Sequence, residues 1–358
     1  MRVGVVGTGH LGKHHARIYR NMPGVKLEAI ADSDPARRLE VATLTGARAF
    51  ADWRDLIGRV DAVSVVVPTT FHREVAIPLI EAGIHVLVEK PLASTADDAR
   101  AIVEAARGKN TILQVGHIER FNPAIRQAER FIDDPRYVVA DRLAPYSFRS
   151  KDIGVVLDLM VHDLDILLEF VKDPVARIEG LGIPVLSRSE DMADARITFA
   201  GGCVADLRAS RISMKRMRKI RFFQRSAYVS IDYDARRVSV FRRSKAVEDE
   251  TIDASLLDPR ELEDPQGFVL AKLLEVEEFE MDKGEDALTA ELGSFIEACR
   301  GEHAAVVPGE HGLRAVEAAL KIQGEIASYV AREAKRAGIP IPDMARAPLA
   351  IDPPPPAD

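Results

Sequence analysis

The segment Gly7-Thr8-Gly9-His10-Leu11-Gly12 narrows the fold more than any other part of the chain. It stands directly after an apolar run, Val3 to Val6, and opens a helix-like stretch from about Leu11 to Tyr19. A tight turn there needs Gly7, a backbone that approaches phosphates needs Gly9, and close packing of helix on strand needs Gly12. The free N–H groups of the new helix then face the phosphates. Asp32 ends the second apolar run, twenty residues after Gly12, where a carboxylate accepts hydrogen bonds from a ribose diol and repels a 2′-phosphate. Gly7, Thr8, Gly9, His10, Leu11, Gly12 and Asp32 therefore point to a dinucleotide, NAD in preference to NADP. Arg37 and Arg38 keep NADP as the lesser alternative. A turn and helix cap without a ligand is the competing reading of the same residues.

The pattern that begins there continues to residue 117. Strand-like runs at Leu27 to Ala31, Ala62 to Val67, His85 to Val88 and Thr111 to Val115 alternate with helix-like stretches near Pro35 to Thr43, Val75 to Glu81 and Asp97 to Ala106. Short runs separated by helices imply parallel strands joined by crossovers, a doubly wound α/β domain over 1–117. Beyond Gly116 the character changes. A helix-like stretch from Pro123 to Ile132 leads into Tyr137 to Leu143, and a second helix is expected from Val155 to Val171. Strand-like runs then follow closely up to Phe241, with turn signals at Gly201-Gly202 and Asp234. Neighbours so close are expected to pair antiparallel, and the alternation of Leu274 to Met281 reads as an edge strand. Helices Ala287 to Arg300 and Glu310 to Lys335 close a second, α+β domain over 118–340 with a large open, mainly antiparallel sheet. Residues 341–358, with Pro353 to Pro356, form a proline-rich tail. An open sheet leaves one face for water or another subunit, so a homodimer or homotetramer through that face is expected.

Charge and cysteine usage remove other classes of function. With 49 Lys and Arg against 56 Asp and Glu, the net charge of −7 gives no basic field for nucleic acid. Cys203 and Cys299 lack CxxC or metal-ligand spacing, so neither a metal nor a disulfide framework is expected. The longest early apolar run is a strand's length, well short of the about 20 residues that span a bilayer. The chain starts without a secretory pattern, so a cytoplasmic protein with no membrane partner is expected.

The chemistry-bearing residues sit at strand ends. Pro68-Thr69-Thr70-Phe71-His72 follows the run at Ala62 to Val67, where open α/β sheets bind ligands. Pro68, Thr69, Thr70 and His72 are thus candidates for the nicotinamide half, with a helix cap as the plain alternative for His72. His85 to Val88 runs into Glu89-Lys90-Pro91, which places Lys90 on the same rim as the glycine loop and Glu89 beside it. In Asp158-Leu159-Met160-Val161-His162-Asp163 a spacing of four puts Asp158 and His162 on one helical face. Oxidising an alcohol needs a base at the hydroxyl while hydride leaves the carbon, a role open to His162 with Lys90 orienting the oxygen or relaying the proton. By themselves, an Asp and a His at this spacing equally describe a capped or packed helix.

Taken in order, the glycine loop, Glu89-Lys90-Pro91 and Asp158…His162 resemble the glucose–fructose oxidoreductase/inositol dehydrogenase (Gfo/Idh/MocA) family over essentially the whole chain before the tail. The resemblance implies a Rossmann domain, an open-sheet second domain, and NAD(P)-dependent oxidation or reduction of a sugar or cyclitol hydroxyl. It further implies that Lys90 and His162 act at the hydroxyl and that Asp158 positions substrate, and in this family the bond before Pro91 is often cis. Val115-Gly116-His117-Ile118-Glu119-Arg120-Phe121-Asn122-Pro123 and the stretch Asp152 to Asp163 look like the branch that oxidises the 3-hydroxyl of UDP-N-acetylglucosamine ahead of an aminotransferase, in lipid A or surface-sugar synthesis. The family's glycine-rich stretch before the helix is replaced here by Lys151-Asp152-Ile153-Gly154-Val155-Val156. Contacts made there by other members are therefore not carried over.

A UDP-sugar needs cations for its diphosphate. Arg120, Arg149 and Lys151 flank the motifs, and Arg208, Arg211, Lys215, Arg216, Arg218, Lys219 and Arg221 form a further basic stretch, which as plainly describes a solvated edge. The alternatives within reach are a free-sugar or inositol dehydrogenase of the same family and a non-catalytic NAD(H) sensor. The retention of Lys90, Asp158 and His162 together argues against the sensor.

Overall fold

Short β-branched runs separated by helices become a six-stranded, wholly parallel sheet of order β3-β2-β1-β4-β5-β6. Its strands are β1 (Arg2–Val6), β2 (Lys26–Ala31), β3 (Arg48–Phe50), β4 (Ala62–Val65), β5 (His85–Glu89) and β6 (Leu113–Gly116). The computed structural model describes residues 1–146, 153–187, 189–249, 269–282, 284 and 286–337. Strand β3 escapes the sequence pattern because three residues are too few to show a period. Helices α1 (His10–Asn21), α2 (Pro35–Thr45), α3 (His72–Glu81) and α4 (Ala96–Lys109) are the crossovers. Side-chain caps fix the starts of α2 and α4: Asp34 accepts from the N–H groups of Ala36 and Arg37, and Thr95 from that of Asp98. Both faces of the sheet are covered, so its strands are apolar throughout, with Val3, Val5, Val63, Val65, Val86, Leu87 and Val88 fully buried. The order reverses between β1 and β4, the switch point at which such sheets hold ligands beyond their strand ends.

The second sheet has eight strands in the order β14-β13-β12-β11-β7-β10-β9-β8. These are β7 (Pro135–Leu143), β8 (Val175–Ile183), β9 (Met192–Phe199), β10 (Val204–Ser210), β11 (Met217–Gln224), β12 (Tyr228–Asp232), β13 (Arg237–Arg243) and β14 (Leu274–Glu280). The expected edge strand is β14. One pairing departs from the antiparallel expectation: β10 runs parallel to β7, since a helix and the β8–β9 hairpin separate them in sequence. Alternation divides the faces. Val138, Ala140, Ile220, Phe222, Val229 and Ile231 are buried, whereas the opposite face carries Tyr137, Phe223, Tyr228 and Phe241, whose rings succeed one another at 5.6, 4.7 and 5.2 Å.

Two helical expectations are corrected. The stretch from Pro123 is α5 (Pro123–Ala128), followed by a 3₁₀ turn at Glu129–Phe131, rather than one helix to Ile132. The element bearing Asp158 and His162 is a π-helical turn, Val156–Met160, continued by α6 (Val161–Phe170). π-Turns concentrate at functional sites.

Two compact units emerge. One comprises Met1–Pro123, Leu164–Leu168 and Asp282–Leu320; the other takes the rest of the described chain. The helices Ala287–Cys299 and Gly309–Ala337 therefore contribute to the first unit from far along the sequence. The tail 341–358 lies outside the described residues. Among the described residues no helix is long and apolar enough to cross a membrane.

Candidate active site

In the first unit the glycine loop has the geometry its sequence demands. Gly7 has φ +88°, and its N–H donates to the carbonyl of Ala31 at 2.8 Å. A Cβ on Gly12 would overlap the carbonyl oxygen of Gly7, so α1 starts hard against the loop. Gly9, the residue before α1, is different: a Cβ there would meet only the Arg37 guanidinium, at 3.9 Å. No side chain caps α1 and its first turn holds no acid, which leaves its N–H groups and positive end for an anion. Beside it, Asp32 Oδ2 accepts from the N–H (2.6 Å) and the hydroxyl (2.9 Å) of Thr8, and Oδ1 from the N–H of Asp34 at 2.8 Å. A carboxylate has about four acceptor positions, so one remains for a ribose hydroxyl. A pyrophosphate over Gly9 with a ribose at Asp32 fits these groups.

Lys90 leaves β5 at the same end of the sheet, and the Lys90–Pro91 bond is cis, as the family resemblance implies. Glu89 is buried. Its Oε1 lies 3.1 Å from His15 Nε2 on α1, and its Oε2 accepts the N–H of Lys90 at 3.2 Å. A Cβ on Gly116 would stand 2.9 Å from the Glu89 carboxyl, so that glycine makes its room.

His72 requires a correction. It is 1% exposed, Nδ1 facing the carbonyls of Pro91 and Leu92 and Nε2 that of Val67. Burial, against the pull of those carbonyls, holds its imidazole below the ordinary value. His72 clamps the β4 loop to the Lys90–Pro91 turn instead of reaching for a nicotinamide. Thr69 and Thr70 lie in a 3₁₀ turn after Pro68. Arg120 is likewise no surface cation: it is buried 3.8 Å from Asp165.

In the second unit Asp158 and His162 are half-buried on one continuous element. Its start is braced from several sides. The Arg211 guanidinium donates to the Ile153 carbonyl and to Asp191, each at 2.8 Å, and Glu190 accepts from Gln323 at 3.0 Å and from the N–H of Val156 at 3.3 Å. Beyond His162, Asp163 takes a two-pronged pair from Arg142 at 2.7 and 2.9 Å, both side chains buried. Arg149 and Lys151 lie outside the described residues. Most of the basic stretch is matched by acids: Arg208 by Asp194, Arg216 and Arg218 by Asp234, Lys219 by Asp232, Arg221 by Asp141.

Sequence reasoning missed His15, Glu291, Asp165 and Arg142. Glu291 is fully buried on the helix Ala287–Cys299, and neither carboxyl oxygen has a hydrogen-bond partner among the described residues. Burial, with Glu89 and Asp165 adding like charge, raises it well above the usual carboxyl range. The available signal was an acid within an otherwise apolar helical face.

Comparison with known proteins agrees with this geometry. The family description "Oxidoreductase family, NAD-binding Rossmann fold" matches residues 1–117, and "GFO/IDH/MocA C-terminal domain" matches residues 124–226. The chain is 33% identical over 340 residues to a UDP-N-acetylglucosamine 3-dehydrogenase from Acidithiobacillus ferrooxidans, spanning 93% of this chain and 99% of that one. A solved structure of that protein superposes with a TM-score of 0.81 at 32% identity, over 92% and 98% of the two chains. A scyllo-inositol 2-dehydrogenase (NAD(+)) from Bacillus subtilis is 31% identical over 232 residues, 60% of this chain and 68% of that one.

Proposed function

This chain belongs to the Gfo/Idh/MocA oxidoreductase family, and we propose that within it the protein oxidises the 3-hydroxyl of UDP-N-acetylglucosamine, with NAD, to the 3-keto sugar. The observation that carries the substrate is the extent of likeness. It runs through nearly the whole of both chains for the Acidithiobacillus enzyme, whereas that to the Bacillus inositol dehydrogenase stops at 60% of this one. NAD, when bound, supplies the acceptor for the hydride that leaves the sugar carbon. The chain's residues do the rest. The N–H groups of the glycine loop and α1 hold the pyrophosphate, and Asp32 the ribose diol. Lys90 orients the hydroxyl oxygen, His162 takes or relays its proton, and Asp158 fixes the ring. Residues 118–340 supply the substrate side, with a second copy of the chain on the aromatic face of the larger sheet. An aminotransferase would consume the ketone.

The test is NADH formation at 340 nm with UDP-N-acetylglucosamine, pulled forward by a ketone trap. Turnover there, and none with myo-inositol or free N-acetylglucosamine, supports the proposal. Turnover of myo-inositol alone replaces it with the cyclitol reading, and NADH binding without turnover of any sugar replaces it with a sensing role.

A further inference from the structure

Of the cations in the basic stretch from Arg208 to Arg221 only Arg211 is buried, at 4% exposure, and the proposed chemistry gives it no part. A buried charge is costly unless it is paired and hydrogen-bonded, and this one is spent in three directions. Its Nε donates to Asp191 Oδ1 at 2.8 Å, Nη1 to the Ile153 carbonyl at 2.8 Å, and Nη2 to the hydroxyls of Ser187 and Ser189 at 2.7 and 3.2 Å. Asp191 is fully buried, and its other oxygen accepts the N–H groups of Val185, Leu186 and Ser187 at 2.7, 2.6 and 2.9 Å. Burial pushes that carboxyl up, but Arg211 and the N–H groups outweigh it and hold it down at about 2. The pair therefore stays charged at any working pH.

Glu190, also 4% exposed, takes the next two groups of the same segment. Its carbonyl accepts the N–H of Val155 at 2.9 Å, and its carboxylate that of Val156 at 3.3 Å. These N–H groups open the element that carries Asp158 and His162, and a helix does not satisfy its own first donors. A carboxylate there also suits the positive end of the element. Gly154 makes the room, since a Cβ on it would overlap the Glu190 carboxyl. The Gly154 carbonyl in turn accepts the N–H of Asp158 at 3.0 Å. All of these residues belong to the second unit.

We propose that Arg211 and Glu190 are positioning residues for Asp158 and His162, fixing the residue at which their element starts and so where both side chains stand against the sugar. The inference rests on the dehydrogenase reading of Asp158 and His162. A start displaced by one residue turns every later side chain by about 100° about the axis. Arg211 on the Ile153 carbonyl and Glu190 on the N–H groups of Val155 and Val156 hold both sides of Gly154 and exclude that shift. Neither residue touches substrate; each acts through the backbone that leads to Asp158.

The test separates placement from mere folding. Glu190→Ala removes the acceptor for Val156, and Glu190→Gln keeps one. The alanine variant should lose at least tenfold in kcat/KM with UDP-N-acetylglucosamine, with KM for the sugar raised and the Kd for NADH within twofold; the glutamine variant should recover most of that loss. Gly154→Ala should reproduce the alanine variant, and the two together should be no worse than either, because each removes the same carboxylate from the same place. Val229→Ala, a core truncation on β12, is the control that lowers Tm and leaves KM alone. A purely structural role reduces only the active fraction, so a lower kcat at unchanged KM, or losses that add, overturns the proposal. Where Glu190→Ala does not fold, Arg211→Lys reads the same split, since it keeps a cation for Asp191 and loses the fork that reaches Ile153. The second arm needs no substrate: hydrogen–deuterium exchange over residues 155–163 should quicken at least tenfold in Glu190→Ala and not in Val229→Ala. Equal exchange in the two overturns the brace. If the wild type turns over no sugar, the dehydrogenase reading falls by itself, and the exchange arm still decides whether Glu190 holds the element.

Discussion

His15 Nε2 stands 3.1 Å from Glu89 Oε1, a contact that ties the helix following the glycine loop to the strand that delivers Lys90. Both side chains are nearly dry, at 0% and 10% exposure, so removing one partner strands the other's polar atoms. His15→Leu should cost about 1–3 kcal/mol in urea unfolding, the range for a buried polar group that loses its neighbour, and His15→Leu combined with Glu89→Met should recover much of that. A single-variant cost below about 0.5 kcal/mol, the size of an ordinary surface change, would show that the contact holds nothing.

The glycines of the loop separate folding from binding. A Cβ on Gly12 collides with Gly7 backbone, whereas one on Gly9 meets nothing nearer than the Arg37 guanidinium at 3.9 Å. Gly12→Ala should lower Tm by several degrees. Gly9→Ala should leave Tm in place and weaken NADH at least tenfold, read by fluorescence, because the added methyl occupies the approach of the pyrophosphate. Equal effects of the two substitutions on Tm would contradict this division.

The turn that underlies this expectation was legible in the sequence, as was much else that depends on local spacing. Gly7, Gly9, Gly12 and Asp32 each answer a short-range demand of a strand–turn–helix unit, and Lys90 follows from the end of an apolar run. His72 was misread because a polar residue at a helix start looks the same whether its ring turns outward or inward, and the carbonyls that receive it include those of Pro91 and Leu92. Glu291 and Asp165 were invisible for a different reason. They enter the first unit from positions far along the chain, and no periodicity records which distant acids share an interior. The single parallel pairing of β10 with β7 was likewise a matter of connection, not of strand pattern.

The proposed cofactor site assigns the preference for NAD to Asp32, whose position is fixed by contacts within the chain. Its carboxylate holds the Thr8 and Asp34 N–H groups, and Arg38 donates to its carbonyl at 2.6 Å. Asp32→Ser keeps an acceptor but removes the charge that repels a 2′-phosphate, with Arg37 and Arg38 at hand to pair with one. The ratio of NADPH to NADH affinity should rise at least tenfold by fluorescence titration. An unchanged ratio would assign the preference to some other residue.

Arg142 and Asp163 form a buried two-pronged pair directly beside His162, with the guanidinium 5.1 Å from the Tyr233 ring. Asp163→Asn takes the negative charge out of this buried two-pronged pair and should cost about 3–5 kcal/mol. Replacing both, by Arg142→Met with Asp163→Leu, should cost distinctly less. Equal losses in single and double variants, measured by denaturant unfolding, would deny the pair any coupling.

Glu291 gives the fold a dependence on pH whose sign follows from its burial. Its carboxyl keeps a proton in the folded state above the pH at which the unfolded chain releases it, near 4.5. Above that pH the folded state binds more protons than the unfolded one, so this group's contribution to stability falls as pH rises, by up to about 1.4 kcal/mol per unit until its folded pKa is reached. Below 4.5 both states hold the proton and the penalty vanishes. His72 and His117 act oppositely: their lowered values withdraw stability as pH falls from about 6.5. Wild-type stability alone therefore mixes the two effects. The difference between Glu291→Met and wild type isolates the acid, since both proteins keep the histidines. Chemical unfolding at pH 5 and pH 7 should show the variant gaining about 1–3 kcal/mol on the wild type between them. A difference independent of pH would mean that Glu291 ionises in the folded interior as readily as in the open chain.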